Sequence, residues 1–235
     1  MKKSIFFFAI LLFLFSGCAR VFQVKVDSLN GGNLAPGTTF AIMPGNQNVT
    51  ADDLQFREFA GYLSNALKLN GYIPADDASR PDIEVYLSYG MGSAVQHVYS
   101  YNVPVYGQTG VHEYSFANTT TTASGGTTTF TNTVVSPDYG VTGYTTQTDT
   151  YTTYPKYIII DAYDARGVAQ GGQMKQIFKT SISADGKSQQ LRKVLPFMLA
   201  ASAKYIGTNT GEELKLGVSE DADIVTIIKT GMTGK

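Results

Sequence analysis

Tryptophan is absent from this chain of 235 residues, cysteine occurs once, histidine twice, and charged side chains make up only 16%. Each scarcity excludes something. A single cysteine has no partner within the chain, so a disulfide-stapled scaffold and a paired-cysteine zinc site are both ruled out. The two histidines, His97 and His112, lack the His-x-x-x-His spacing of a helical metal site. A net charge of −1 with no basic cluster argues against nucleic acid as a partner. No phosphate-binding loop, dinucleotide fingerprint or Gly-x-Ser-x-Gly nucleophile turn is present. Against these absences stand 24 glycines and 15 tyrosines, with threonine plentiful, which suits β-rich structure with a polar, uncharged surface.

The lone cysteine, Cys18, sits behind an N-terminal address. Lys2 and Lys3 are followed by an unbroken apolar run from Ile5 to Phe15, then by Ser16 and Gly17. A positive start, an apolar middle and a small-residue exit are the parts of a secretory signal. The run is too short for a membrane span, which needs about 20 apolar residues. Cys18 directly after Ser-Gly resembles the lipobox of bacterial lipoproteins, with Phe15 at the place where leucine is usual and Leu14 one step earlier. The resemblance implies cleavage before Cys18, acylation of its thiol and lasting attachment to a membrane, since stable anchoring takes more than one acyl chain. Ala19, rather than Asp, then resembles an outer-membrane sorting signal. Losing Lys2 and Lys3 with residues 1–17 takes the net charge from −1 to −3.

Periodicity supplies the elements. Val21 to Val26 alternates apolar and polar, as a strand does, and Thr39 to Met43 reads as a buried strand closed by Pro44-Gly45. The period then changes: Phe56, Phe59, Ala60, Leu63 and Leu67 form one stripe of a helix, with Thr50 as expected N-cap and Asn70-Gly71 as its end. Ile83 to Tyr89 alternates again. Tyr157 to Tyr163 is apolar on both faces and so reads as central; Gln176 to Ile182 is the next strand, after a turn expected at Arg166-Gly167. Leu191, Val194, Leu195, Met198 and Leu199 mark a second helix, with a kink expected at Pro196 and a stop at Gly207. Ile224 to Ile228, rich in β-branched residues, reads as a short tail strand. The sum is an α+β fold: a mostly antiparallel sheet with two helices on one face. The expected divisions are a signal at 1–17, a tether and first strand at 18–37, a single domain at 38–218 and a tail at 219–235.

Residues 93–154 interrupt that domain. Charge nearly vanishes there, and threonine, tyrosine and glycine dominate. The composition predicts one or two long hairpins with Ser124-Gly125-Gly126 as a tip. Tyr99, Tyr101, Tyr106, Tyr114, Tyr139, Tyr144 and Tyr151, with Phe116 and Tyr154, form either a contact surface for a partner or cross-strand packing that holds the hairpin together.

Several stretches together, among them Phe40 to Gly45, Leu67 to Tyr72, Pro81 to Tyr89 and Leu195-Pro196, resemble a family of bacterial lipoproteins built on a domain of unknown function. The resemblance spans roughly residues 38–211. It implies envelope localisation and the α+β fold, and it carries no catalytic residues.

The candidate chemistry is correspondingly thin. Glu113 and Asp138 are the carboxylates available to His97 and His112, but the spacing assigns no metal and no cofactor. Asp52-Asp53 and Asp76-Asp77 are explained by capping and solvation, and Glu212-Glu213 by a solvated face. The expectation is a non-enzymatic, lipid-anchored module of the cell envelope, on the outer membrane facing the periplasm, tied to the membrane through Cys18 and meeting another envelope protein or a glycan through the insert. The alternatives are an envelope hydrolase built on His97 or His112 and a glycan-binding surface lipoprotein.

Overall fold

Alternation of apolar and polar residues makes one face of each core strand a burial surface, and the register shows how those faces are brought together. The computed structural model describes residues 21–32, 34–76, 80–166 and 174–231. Cys18 and the turn expected at Arg166-Gly167 involve residues outside that set. The described chain divides into two compact units, Gln96–Thr152 and the remainder.

The larger unit is a seven-stranded sheet. In chain order its strands are β1 (Val21–Asn30), β2 (Thr39–Pro44), β3 (Ile73–Pro74), β4 (Ile83–Met91), β7 (Lys156–Asp164), β8 (Gln176–Ala184) and β9 (Leu214–Ser219). Across the sheet the order is β3-β2-β4-β7-β8-β1-β9. All neighbours are antiparallel except β2, which runs parallel to β3 and β4. Among the described residues three α-helices complete the unit: α1 (Leu54–Leu69), α2 (Leu191–Ser202) and α3 (Asp223–Thr230).

The core is one cluster. Val24, Val26, Ile83, Val85, Leu87, Ile158, Ile160 and Ile182 of the sheet pack with Phe59, Leu63 and Leu67 of α1, Leu195, Met198 and Leu199 of α2, and Val225 and Ile228 of α3. Phe59 is fully buried and meets the Tyr89 ring edge-on, centroids 4.8 Å apart. The helices are tied across their surfaces as well. Arg192 Nε donates to both Glu58 oxygens (2.7 and 3.0 Å), and the Tyr62 hydroxyl donates to Glu58 at 2.6 Å. Every buried side-chain polar atom among the described residues has a partner; Ser28 and Thr180 bond to each other at 2.7 Å inside the sheet.

Four details differ from the sequence reading. Helix α1 begins at Leu54 with Asp53 as N-cap, not Thr50, because the Asp53 carboxylate accepts the Phe56 amide at 2.8 Å while Thr50 holds the preceding turn. The strand expected at 224–228 is helix α3, so three α-helices are present among the described residues instead of two. Its Val225 and Ile228 are both buried, one helical turn apart, and Gly231 caps its end in the left-handed conformation (φ 72°). Strand β9 follows Glu212-Glu213 directly, where the sequence suggested only a solvated face. Strand β7 is central, as expected, but only its Lys156, Ile158, Ile160 and Ala162 side is fully buried.

The register also fixes which chain ends share a rim of the sheet. Val21 stands opposite Ser219, Lys25 opposite Ser183, Lys156 opposite Ala184, and Met91 opposite Lys156. The first residue of β1, the last of β4 and the first of β7 are therefore on one rim.

Candidate functional site

The chain leaves the sheet after β4 and returns at β7, and the segment between them is one hairpin. Its strands β5 (Val95–Thr121) and β6 (Thr127–Thr153) have 27 residues each, a length of about 90 Å at the usual strand rise. Threonine, tyrosine and valine favour extended backbone, and no long apolar run competes for a helix. The tip lies where the glycines place it: Gly125 takes φ 85°, and the Thr122 amide donates to the Gly126 carbonyl at 2.7 Å.

Side-chain hydrogen bonds hold the ribbon at both ends. Near the base the Tyr99 hydroxyl donates to Asp149 (3.2 Å), the Tyr101 hydroxyl to Gln147 (3.2 Å) and the Thr146 hydroxyl to Asn102 (3.0 Å). Near the tip Ser115 pairs with Thr133 and Thr119 with Thr129. Midway, Gly107 lies against Thr142 and Gly140 against Thr109; a Cβ on either glycine would come within 3.0 or 3.1 Å of the threonine methyl.

No residue of either strand is buried. The seven tyrosines singled out from the sequence thus share a hairpin but not a single cluster. At the base, the His97 ring stacks on Tyr151 (centroids 4.7 Å apart, 15° between planes), Tyr99 lies beside Tyr101 (5.9 Å, 25°), and Tyr99 meets Tyr151 at 6.0 Å. Asp149 raises the Tyr99 hydroxyl pKa, first by its nearby negative charge and then by their hydrogen bond. Further out, Tyr114 stacks loosely with His112 (6.4 Å). Tyr106, Tyr139 and Tyr144 are the most open, at 71%, 74% and 70% exposure. Sequence reasoning missed Phe130 and Val134, both exposed near the tip. Their even spacing from the tip, matched by Tyr114 and Phe116 on the other strand, was the available signal. Tyr154 lies outside the hairpin unit, its hydroxyl bonded by Gln189 at 2.6 Å.

The charge pattern of the region is one-sided. No lysine or arginine occurs between Arg80 and Lys156, and residues 114–137 contain no acidic, basic or histidine side chain. His112 Nδ1 pairs with the Asp138 carboxylate on the open surface. Among the described residues no three His, Cys, Asp or Glu side chains gather in a way that could hold a metal ion.

At the return of the chain to the sheet, Lys156 is buried. Its amine donates to the carbonyls of Tyr154 (2.6 Å) and Gly186 (3.3 Å). Burial pulls its pKa below the usual lysine range, and the negative charge of Asp185 partly opposes that.

Two of the shallow cavities of the sheet unit hold polar groups of interest. One, of about 320 Å³, is lined by Tyr86, Ser88, Asp161, Tyr163 and Met174; its acid, Asp161, is already engaged by Gln176 (2.7 Å) and Lys179 (3.8 Å). The other, of about 340 Å³, surrounds the Glu58–Tyr62–Arg192 network with Lys193, Phe197 and Lys229. Burial, followed by the bond to Glu58, pushes the Tyr62 pKa up to about 12. Both cavities hold groups whose polar atoms serve neighbouring elements.

No protein-family model matches the chain, and no curated protein matches it. Among solved structures it is similar to a PDZ domain protein from Parabacteroides distasonis ATCC 8503, at 12% identity and a TM-score of 0.35, over 86% of this chain and 40% of that one. It is also similar to the lysenin pore, at 8% identity and a TM-score of 0.11, over 73% of this chain and 45% of that one. The chain thus spans less than half the length of each, and scores this low carry no argument about fold or function.

Proposed function

We propose that this is a lipid-anchored protein of the cell envelope, tethered through Cys18, which acts without catalysis by binding another envelope component through its hairpin. The observation that carries this reading is the hairpin itself. It exposes aromatic and aliphatic side chains along its whole length, buries none of them, and is nearly devoid of charge. Isolated two-stranded ribbons are marginal in water, and exposed apolar surface on this scale marks an interaction site. The signal, the small-residue exit and Cys18 support the tether. The same anchor supports an outer-membrane location facing the periplasm.

Two experiments test the two parts. Metabolic palmitate labelling is expected in the wild-type chain and absent in Cys18→Ser; equal labelling of both overturns the tether. A photoreactive residue at Tyr106 or Tyr144, activated in intact cells, is expected to give a recurrent adduct. Removal of residues 101–153 is expected to leave a folded, anchored core without that adduct. Unchanged partner capture by the deletion sinks the binding role.

One specific observation favours a second reading, glycan binding. At the hairpin base His97 stacks on Tyr151 and Tyr99 on Tyr101, two ring pairs tilted 59° to each other, and the exposed tyrosine faces among them are the kind of surface on which sugar rings stack. The hydrolase alternative has less support: His112 and Asp138 pair on an open surface, and neither of the two cavities described above is lined by a histidine.

A further inference from the structure

We infer that the component met by the hairpin is a second copy of this chain, paired edge to edge through the uncharged tip. The inference rests on the binding role proposed for the hairpin and names its partner. Three observations support it.

The first is how the chain treats its strand edges. An open edge invites pairing with further copies, and proteins suppress this with short edge strands, lysine or proline. The outer strands of the seven-stranded sheet follow that practice: β3 has two residues, one of them Pro74, and β9 has six, with Lys215 among them. The ribbon does not. Strands β5 and β6 have 27 residues each, and among the described residues neither has a strand neighbour except the other. Neither contains lysine or arginine. The tip, residues 114–137, contains no acidic, basic or histidine side chain, and its one proline, Pro137, stands at its base end. Copies meet there without like-charge repulsion.

The second is the number of backbone groups on offer. The Thr122 amide bonds to the Gly126 carbonyl, so by alternation the odd-numbered residues of the tip turn their backbone groups outward. On β5 these are Ser115, Ala117, Thr119 and Thr121, which present about eight N–H and C=O groups to a neighbour. A standard protein interface carries about 10 hydrogen bonds. A lone two-stranded ribbon is marginal in water, whereas three or more strands sharing a face are stable.

The third is the division of faces. The Ser115–Thr133 and Thr119–Thr129 bonds join opposed residues and place four hydroxyls on one face. Successive side chains alternate, so Tyr114, Phe116, Phe130 and Val134 stand on the other with Asn118 and Asn132. A neighbouring copy at the same level continues both rows, hydroxyl beside hydroxyl and ring beside ring, the pairings that stabilise sheets. Joining β6 of one copy to β5 of the next uses both edges of every copy, whereas β6 with β6 leaves one long edge of each open. It also brings Asp138 and Asp149 of β6 towards the strand that carries His97 and His112, with Glu113 its one acid.

The test uses the full chain in intact cells, as two copies with different epitope tags. One carries Thr133→Cys; the other carries Ser115→Cys, Ala117→Cys, Thr119→Cys or Thr121→Cys in turn, and a mild oxidant is added. The expected result is a disulfide-linked product bearing both tags, with one position of β5 at least fivefold above the other three. Two Thr133→Cys copies are expected to give none. Thr129→Lys with Thr131→Lys, which places lysines on the β6 edge, is expected to cut the product at least tenfold while palmitate labelling is unchanged. No doubly tagged product, equal yields at all four positions, or a stronger product between two Thr133→Cys copies overturns the inference. A recurrent photoadduct of Tyr106 or Tyr144 with a different protein, without the doubly tagged product, overturns it and leaves the binding role standing. The binding role fails separately, by unchanged partner capture after removal of 101–153.

Discussion

Strands β4 and β5 are joined by a few residues, yet they are specified in opposite ways. Strand β4 is nine residues long, and its Ile83, Val85, Leu87 and Tyr89 are all buried. Strand β5 is three times as long and buries nothing. In β4 a slip of one residue would turn the whole apolar set to solvent, so the core fixes the register. In β5 a slip costs only cross-strand hydrogen bonds between exposed groups, each worth about 0.5–1.5 kcal/mol. One sequence thus contains a sheet whose pairing is dictated from within and a ribbon whose pairing is left open to whatever it meets.

The largest expected effect breaks the first half of that contrast. Phe59→Ala opens a cavity under Tyr89 and should lower stability by about 3–5 kcal/mol, read from urea unfolding. The deletion lacking 101–153 should show the same loss; a much smaller one there would mean that the core leans on the hairpin.

Next comes the junction. Lys156→Ala removes the donor to Tyr154 and should cost about 1–3 kcal/mol, with faster proteolysis at the hairpin root. The pH dependence follows from its lowered pKa. The folded chain gives up this proton at lower pH than the unfolded chain, so the burial penalty is present at neutral pH. It is relieved as pH rises towards the ordinary lysine value of about 10.4. Lys156→Ala should flatten that rise. Tyr62 acts in the opposite sense: its contribution is complete below about 10 and lost as pH climbs towards 12. Tyr62→Phe should remove that loss.

A smaller effect is expected at the opposite rim, where Asp82 accepts the Thr39 amide (2.9 Å) and hydroxyl (2.8 Å) and joins β2 to β4. These bonds hold its carboxyl below the usual carboxylate range. The stabilisation is present above about pH 3.9 and fades as pH falls through the lowered value. Asp82→Asn should give a shallower acid-unfolding curve, followed by circular dichroism. The smallest effect sharpens the second half of the contrast. Tyr106→Ser or Tyr144→Ser should change unfolding free energy by no more than about 0.5 kcal/mol while reducing capture of the hairpin's partner.

What could be read in advance follows the same division. Helix α1 announced itself through the spacing of Phe56, Phe59, Leu63 and Leu67, and the hairpin through composition, with its turn at Gly125. The tail misled because Ile224-Val-Thr-Ile-Ile228 is β-branched, and local preference pointed to a strand. Burial of Val225 and Ile228 against the other helices outweighed it. Strand β9 was hidden by Gly217, which looks like a turn residue. Its bare backbone is needed because a Cβ there would come within 2.7 Å of Val21. The faces of the hairpin tip depend on pairing between residues far apart in sequence, which composition alone does not give.

The reciprocal contacts at mid-ribbon, Gly107 with Thr142 and Gly140 with Thr109, leave a mark that can be sought without a purified protein. A side chain added at either glycine has room only if the threonine across from it shrinks. Among descendants of this gene, 107 should therefore vary jointly with 142, and 109 with 140, while the exposed tyrosines around them drift independently. Coupled inheritance of those two pairs would record the hairpin's pairing in evolutionary history.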